Sequence, residues 1–207
     1  MSKLTNDLIR FGYLKTDAII EAFERINRIE FVPKEMELQA NIDVALPIGC
    51  GQTISQPLVV IFMLELLDPQ EGQKILDIGS GSGWTTALLS DIVGQKGKVI
   101  SLEIIEKLLK KGEKNADKFG FVKNGIAEFY NVDGNNGFPS QAPYDRILVS
   151  ASAAYEIPSA LKKQLAVGGK MVLPVQNSII YIEKISEDDF CEEKIPGFTF
   201  VPLIFKQ

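Results

Sequence analysis

The stretch Lys74-Ile75-Leu76-Asp77-Ile78-Gly79-Ser80-Gly81-Ser82-Gly83-Trp84 decides how this 207-residue chain folds. Its first five residues form a short apolar run of strand length. The glycines that follow permit a tight turn and allow a ligand to approach the backbone closely. The apolar residues after Trp84 then predict a helix. A strand that ends in glycines and leads into a helix is typical of an α/β sheet, which binds its ligands at the carboxyl ends of the strands.

The same strand-helix alternation continues along the chain after this unit. Apolar runs predict strands over 98–102, 127–131, 144–149 and 170–175, with helices over 106–119 and 159–165 and a turn at Gly168-Gly169. Further strands are expected at one edge, over 178–185 and 199–205. This order predicts an α/β fold with a doubly wound, mostly parallel sheet and an antiparallel edge strand.

The residues before the sheet predict a helical cap. Thr16 and Asp17 open a segment with apolar residues at helical spacing, and Pro33 ends it, because the residue before a proline favours extended geometry. Residues 46–55 predict irregular or short extended structure, and Pro57 suits the first turn of the next helix. We therefore expect one domain over 1–207, with a cap and active-site segment (1–56) followed by a cofactor-binding core (57–207).

Composition excludes several kinds of catalysis. The chain has no histidine, which removes Ser-His-Asp and Cys-His mechanisms, imidazole bases and His-ligated zinc. The sequence predicts no metal site. With 22 basic and 27 acidic residues the net charge is −5, which disfavours a nucleic-acid binder. Catalysis must then use carboxylates, hydroxyls, lysines, a thiol or a cofactor.

The cysteines and the apolar segments bear on the compartment. Cys50 and Cys191 lie far apart, which is typical of free, buried thiols in a reducing cytosol. Cys50 has no visible activating partner, so it is not expected to be catalytic. The uncharged stretch over 44–64 is interrupted by glycines and prolines, and no membrane span is predicted. We expect a cytoplasmic protein.

The glycine spacing distinguishes between cofactors. A dinucleotide fingerprint requires G-x-G-x-x-G, whereas Gly79 and Gly81 are followed by Gly83 and bulky Trp84, so a nicotinamide-dependent oxidoreductase is disfavoured. G-x-G-x-G after an acidic strand end, Asp77, resembles instead the first motif of methyltransferases that use S-adenosyl-L-methionine. Ser80 belongs to the same predicted cofactor loop.

Acidic residues follow the next two strands. Glu103, followed by Ile104, comes about twenty residues after the glycine loop, where a carboxylate accepts both hydroxyls of a ribose in many nucleoside-binding folds. Asp133-Gly134 follows the third strand, where adenine edges are commonly bound in this fold. The alternatives are a solvated surface glutamate at position 103 and an ordinary Asp-Gly turn at 133–134.

A second stretch identifies a family. Gly49-Cys50-Gly51-Gln52-Thr53-Ile54-Ser55-Gln56-Pro57 resembles the signature of protein-L-isoaspartate O-methyltransferases. Further blocks resemble the same family and occur in family order, namely Phe31-Val32-Pro33, Leu46-Pro47-Ile48, the glycine loop, Ala142-Pro143-Tyr144-Asp145, Ile157-Pro158-Ser159-Ala160-Leu161, Gly168-Gly169, Leu173-Pro174-Val175 and Phe200-Val201-Pro202-Leu203. These blocks span nearly the whole chain.

The resemblance implies methyl transfer from S-adenosyl-L-methionine to the free carboxylate of L-isoaspartyl residues in damaged proteins, with S-adenosyl-L-homocysteine as product. It implies that Ser55 is the active-site serine, and that Thr53 and Ile54 line the cofactor and substrate cleft. The acceptor carboxylate is ionised at neutral pH and needs no general base, which suits a chain without histidine. Ser55 would orient that carboxylate; the alternative is a helix N-cap before Pro57. Isoaspartyl proteins and peptides are the expected partners of a monomer that binds neither nucleic acid nor membranes.

Three departures from the family pattern bear on substrate choice. Val132 stands where the family usually has glycine, the loop over 150–156 is one residue longer, and Ile204 stands where many members have threonine. Two other functions therefore remain open. One is a related methyltransferase with a different carboxylate or small-molecule acceptor, and the other is a non-catalytic binding module that keeps the fold.

Overall fold

The computed structural model describes residues 3–152 and 157–202. Within these residues the α-helices are α1 (Lys3–Arg10), α2 (Asp17–Arg25), α3 (Pro57–Leu67), α4 (Trp84–Val93), α5 (Glu106–Asp117) and α6 (Ser159–Gln164). The strands are β1 (Leu46–Gly49), β2 (Gln52–Ile54), β3 (Lys74–Ile78), β4 (Lys98–Leu102), β5 (Ala127–Tyr130), β6 (Tyr144–Val149), β7 (Leu165–Val175), β8 (Ser178–Lys184) and β9 (Phe190–Pro196).

Seven strands form the central sheet in the order β5-β4-β3-β6-β7-β8-β9. The strands from β5 to β7 are parallel, whereas β8 and β9 are antiparallel to their neighbours. The chain winds from β3 outward to β5 and then returns to add β6 on the other side of β3. The predicted doubly wound, mostly parallel sheet with an antiparallel edge is confirmed, and its winding reverses between β3 and β6, where α/β sheets bind ligands.

Alternate residues of each central strand face opposite sides of the sheet, and both sides are buried. Ile75 packs in a core with α3, α4 and the N-terminal helices. Its neighbour Leu76 packs in a second core with Tyr144 and Leu161 of α6. Burial on both faces explains why these strands are almost continuously apolar rather than alternating.

The N-terminal helical cap packs on the first of these cores. Phe23 of α2 meets Trp84 of α4 edge to face, with ring centroids 5.4 Å apart. The residues just before α2 are bound by Glu65 of α3, whose carboxylate accepts hydrogen bonds from Lys15 N (2.7 Å), Thr16 N (3.0 Å) and Thr16 Oγ1 (2.8 Å). The helix therefore begins where the sequence predicts, and residues 46–54 form the short antiparallel hairpin β1-β2.

The far edge of the sheet differs from the prediction. Residues 199–202 contain no strand, only an isolated bridge between Ser152 and Pro202, and residues 203–205 lie outside the described part. The edge strand is β9, which the sequence analysis missed. The predicted turn at Gly168-Gly169 is also wrong: β7 runs through both glycines, while its register with β6 shifts between Leu165 and Lys170.

Two further expectations concern the surface. Cys50 and Cys191 are free, as predicted, but both are exposed rather than buried. Among the described residues, no helix combines the length and apolar character that crossing a membrane requires.

Candidate active site

A cleft lies where β3, β4, β5 and β6 end, with the β1-β2 hairpin on its other side. It encloses about 750 Å³, including solvent at its mouth. Nine of the twelve predicted site residues line it: Thr53, Ile54, Ser55, Gly79, Ser80, Gly81, Glu103, Ile104 and Gly134. The other three, Asp77, Gly83 and Asp133, lie outside this lining.

The glycine loop forms the floor of the cleft. Gly79 and Gly81 have φ values of +82° and +50°, which residues with a side chain rarely adopt. Gly79 N and Ser80 N donate hydrogen bonds to Leu102 O at 2.8 and 3.2 Å, so the loop is fixed to the end of β4. Ser80 Oγ is buried and has no hydrogen-bond partner among the described residues. A polar ligand in the cleft would satisfy this hydroxyl.

Gly83 serves the packing of two helices. A Cβ at this position would lie 2.5 Å from Gly112 O of α5, and φ is +84°. The absence of a side chain lets α5 approach the loop that precedes α4. The predicted contact of Gly83 with a cofactor stays a prediction.

Glu103 is buried at the end of β4 and is not a solvated surface residue. Its Oε2 accepts a hydrogen bond from Gly81 N and its Oε1 accepts one from Ile105 N, both at 2.9 Å. An ionised carboxylate has about four acceptor positions, so each oxygen can still accept from a ligand hydroxyl. Glu103 thus fixes the glycine loop and can also receive a pair of hydroxyls.

Asp77 lies beneath the loop and supports it from behind. Its Oδ2 accepts hydrogen bonds from Thr86 Oγ1 (2.6 Å) and Thr85 Oγ1 (3.2 Å), while Oδ1 is buried without a partner among the described residues. Burial raises the pKa of the Asp77 carboxyl to about 6, against the threonine hydrogen bonds that lower it. Its predicted contact with a cofactor stays a prediction.

The segment after β5 forms another wall. Val132 lines the cleft, so the departure from the family's glycine falls within the site. Gly134 also lines it, and a Cβ there would lie 2.2 Å from Ile78 Cγ2. Asp133 Oδ1 accepts hydrogen bonds from Asn135 N (3.0 Å) and Asn135 Nδ2 (2.6 Å), as in an Asx turn. Its predicted adenine contact is untested by this geometry.

The hairpin side of the cleft carries Ser55. Its hydroxyl makes no hydrogen bond to the described residues, and the N-cap of α3 is Gln56. Asp43 takes over the capping, since its Oδ1 accepts from Leu58 N (2.8 Å) and its Oδ2 from Gln56 Nε2 (2.9 Å). The alternative of Ser55 as a helix N-cap is therefore wrong, and its hydroxyl is available to the cleft.

Sequence reasoning missed several lining residues. Trp84 and Thr85 follow the glycine loop directly and could have been assigned from that adjacency. Val201 and Pro202 reach the cleft because Ser152 N donates to Val201 O at 2.8 Å. Ser150 and Ala151 also line the cleft, whereas 153–156 and Ile204 lie outside the described residues. In the described part of the chain, no group of acidic, Cys or His side chains could hold a metal ion.

Comparison with solved structures matches this architecture. A protein-L-isoaspartate O-methyltransferase structure aligns with a TM-score of 0.86 at 28% identity, over 97% of this chain and 64% of that one. A candidate enzyme of the same name from Plasmodium falciparum, solved with S-adenosyl-L-homocysteine, aligns with a TM-score of 0.85 over 97% of this chain and 96% of that one. At 23% identity the latter likeness shows the fold.

Sequence relatives are closer. The protein-L-isoaspartate O-methyltransferase of Methanothermobacter thermautotrophicus is 40% identical over 209 residues, covering 99% of this chain and 94% of the relative. That of Aeropyrum pernix is 42% identical over 206 residues, covering 98% of this chain and 78% of the relative. The family model for protein-L-isoaspartate(D-aspartate) O-methyltransferase matches residues 1–207. The chain belongs to this family.

Proposed function

We propose that this protein is a protein-L-isoaspartate O-methyltransferase, which transfers a methyl group from S-adenosyl-L-methionine to the free carboxylate of L-isoaspartyl residues. The observation that carries the proposal is the cleft itself. It places the glycine loop and Glu103 on one side and the unengaged hydroxyl of Ser55 on the other. Membership of the family and the relatives' activity support the same conclusion.

The residues present fit the cofactor. Glu103 would accept the ribose hydroxyls, the loop from Gly79 to Gly81 would lie against the polar tail, and Ser80 Oγ would gain its missing partner. Ile104, Val132 and other apolar lining residues would flank the adenine. The P. falciparum structure holds S-adenosyl-L-homocysteine, the product this assignment requires.

When bound, S-adenosyl-L-methionine supplies a methyl group on a positively charged sulfur. The acceptor carboxylate has an ordinary pKa near 4, so it is ionised at neutral pH and attacks without losing a proton. Ser55 would donate a hydrogen bond to one oxygen of the acceptor carboxylate and so hold the carboxylate in the cleft, with the other oxygen free to react. Correct alignment and exclusion of water by the apolar walls provide the rate enhancement.

A paired assay tests the proposal. Two peptides of identical sequence, one with an isoaspartyl and one with an aspartyl residue, are incubated with the protein and radiolabelled S-adenosyl-L-methionine. Label should enter only the isoaspartyl peptide. Transfer to another carboxylate or to a small molecule would favour the diverged methyltransferase. Cofactor binding with no transfer to any acceptor would favour the binding module.

We further propose that the chain acts as a single unit and as a monomer, on isoaspartyl proteins and peptides in the cytoplasm. One apolar core joins the N-terminal helices to the sheet, which supports a single unit. The exposed edge strand β9 carries Glu192, Glu193 and Lys194, and such charges oppose pairing with a second sheet edge. The two free cysteines suit a reducing compartment. Light scattering at assay concentration should give the mass of one chain.

A further inference from the structure

Arg28 is a buried arginine that follows α2 and binds the segment leading into the cleft. Its guanidinium donates only to backbone carbonyl oxygens of the described residues. Nη1 donates to Ala40 O (3.0 Å) and Ile42 O (3.3 Å), and Nη2 donates to Val44 O (2.8 Å), Ser55 O (3.0 Å) and Ile54 O (3.5 Å). One planar group therefore joins residues 40–44 to the two residues that carry the hairpin side of the cleft.

The same guanidinium also contacts a residue on the cofactor side of the cleft. Arg28 Cζ is 5.3 Å from the centre of the Trp84 ring, a cation–π distance. Trp84 follows Gly83, begins α4 and lines the cleft next to the glycine loop. Arg28 is thus in contact with the cofactor side through an aromatic ring and with the acceptor side through the Ser55 carbonyl.

The positive charge of Arg28 is buried and has no carboxylate bonded to it among the described residues, which is not expected of a charge that only stabilises the fold. Arg28 is 4% exposed, and Asp43, the acidic residue that favours its charged form, already binds Gln56 and Leu58. Burial lowers the pKa of the guanidinium to about 10, so it stays protonated at neutral pH. A buried charge without a bonded carboxylate is unfavourable for folding, and an apolar residue there would be expected if packing were its only purpose.

We propose that Arg28 is a positioning residue for methyl transfer, which holds Ser55 in register with Trp84 and the glycine loop. The inference rests on the proposed function, because it concerns the alignment of acceptor and methyl donor. A lysine at this position has three donors on a single ammonium, so it cannot make all five carbonyl contacts and the contact with the Trp84 ring together. A displacement of about 1 Å at a reacting group can lower the rate about 100-fold.

Arg28→Lys tests the proposal against a matched variant, Arg146→Lys. Arg146 is also buried and donates to the carbonyls of Asp68 and Asp145, but it lies at the start of β6, at the opposite end of the sheet from the cleft. Both substitutions should lower the melting temperature. Only Arg28→Lys should lower kcat with an isoaspartyl peptide, by at least about tenfold. S-adenosyl-L-homocysteine affinity should stay within about threefold of the unmodified chain, since Glu103 and the loop are intact.

The outcomes separate this inference from the proposed function. Unmodified protein that methylates no isoaspartyl peptide refutes the function. If it is active, an equal loss of kcat in both variants, or kcat within twofold of normal in Arg28→Lys, overturns the role of Arg28. Should Arg28→Lys not fold, NMR of the unmodified chain with ¹⁵N-labelled arginine replaces it. The Arg28 Nη signals should shift when isoaspartyl peptide is added to the complex with S-adenosyl-L-homocysteine, and unchanged signals would contradict the proposal.

Discussion

Glu103 has two roles, which are to fix the glycine loop and to accept the hydroxyls of a ligand. Its oxygens accept from Gly81 N and Ile105 N and still have acceptor capacity for a ribose. Glu103→Gln keeps the size of the side chain but removes the charge, and its NH2 group replaces an oxygen that accepts from Gly81 N or Ile105 N. Cofactor binding should weaken by about 1.5–3 kcal/mol, the usual contribution of hydrogen bonds to a charged group. Trp84, the only tryptophan of the chain, lines the cleft and provides a fluorescence titration of S-adenosyl-L-homocysteine.

Glu128→Gln is the control for this measurement. Glu128 lies on the neighbouring strand β5, is paired with Lys98 and lies outside the cleft lining. It should leave cofactor affinity unchanged. An equal effect of both substitutions would mean that net charge, rather than the carboxylate of Glu103, governs binding.

Ser55→Ala should lower turnover by about 10–1000-fold, the range for loss of a positioning or electrostatic contact. The melting temperature should hardly change, because Asp43 caps α3 and the Ser55 hydroxyl makes no hydrogen bond to the described residues. Ser90→Ala gives the opposite pattern. Ser90 Oγ donates to Thr86 O at 2.7 Å inside α4, so its loss should reduce stability and leave kcat unchanged. Normal kcat in Ser55→Ala would rule out its assignment.

These residues show what local sequence can and cannot predict. The spacing of the glycines and of Glu103 predicts the cofactor side, because both directly follow strands whose carboxyl ends meet. The capping of α3 by Asp43 depends on a contact between residues 15 positions apart that no periodicity encodes. Ser55 two residues before Pro57 therefore suggests a helix N-cap, whereas in the fold the capping hydrogen bond comes from Asp43.

The packing of α4 against α5 depends on a pair of glycines. Gly83→Ala would put a methyl group 2.5 Å from Gly112 O and hold alanine at a φ of +84°. The left-handed backbone alone costs about 1–2 kcal/mol. We expect a larger loss of unfolding free energy together with weaker cofactor binding, because α5 would move away from the loop. Urea denaturation and the Trp84 titration measure the two effects.

Gly125→Ala isolates the backbone contribution. Gly125 also has a positive φ, +71°, but a Cβ there would meet nothing within 4 Å. This variant should lose only the strain energy and bind the cofactor normally. If Gly83→Ala were no more destabilised than Gly125→Ala, the close approach of the two helices would not matter.

Elements buried on both sides are predicted best from sequence. The strands β3, β4 and β6 each contain a run of buried apolar residues, which makes them recognisable in the sequence. The edge strand β9 was missed because its exposed side chains include Cys191, Glu192, Glu193 and Lys194, and no alternation of apolar residues marks it. Its backbone pairs with β8 in full register, which only the fold provides.

The whole molecule brings together residues that are distant in sequence, and this is where prediction from single motifs ends. Arg28 reaches Ser55 across 27 positions and Trp84 across 56, although neither contact has a local signal. Val201 enters the cleft through a contact with Ser152. The blocks of the family resemblance include Ser55 and Val201 but not Arg28, and the geometry supplies the reason these residues occur together.

The chain lacks the side chain whose ordinary pKa lies closest to neutral pH. It has no histidine, and the acceptor carboxylate is ionised above about pH 5. The kcat/KM with an isoaspartyl peptide should therefore be flat between about pH 7 and 8, as measured by initial rates at constant ionic strength. A tenfold rise across that range would require an enzyme base and would contradict the proposed mechanism.

Asp77 should instead make folding stability depend on pH at lower values. The pKa of its buried carboxyl is about 6, above the ordinary 3.8, so the unfolded chain releases this proton first. Between about pH 4 and 6 the folded state binds more protons, and the contribution of Asp77 to stability falls as pH rises, by on the order of 3 kcal/mol in total. Above this window the contribution is constant.

The variant Asp77→Asn does not titrate and can still accept a hydrogen bond from Thr86. Its unfolding free energy is measured by urea denaturation at pH 4, 5, 6 and 7 with Trp84 fluorescence. Relative to that of the unmodified chain, it should increase as pH rises from 4 to 6. Above pH 6 the difference between the two proteins should level off, because Asp77 is then ionised in both the folded and the unfolded chain. Glu37→Gln, on the exposed surface, gives the baseline for losing one negative charge. A difference that stays constant from pH 4 to 7, or that shrinks, would show that the buried carboxyl does not hold its proton in the folded state.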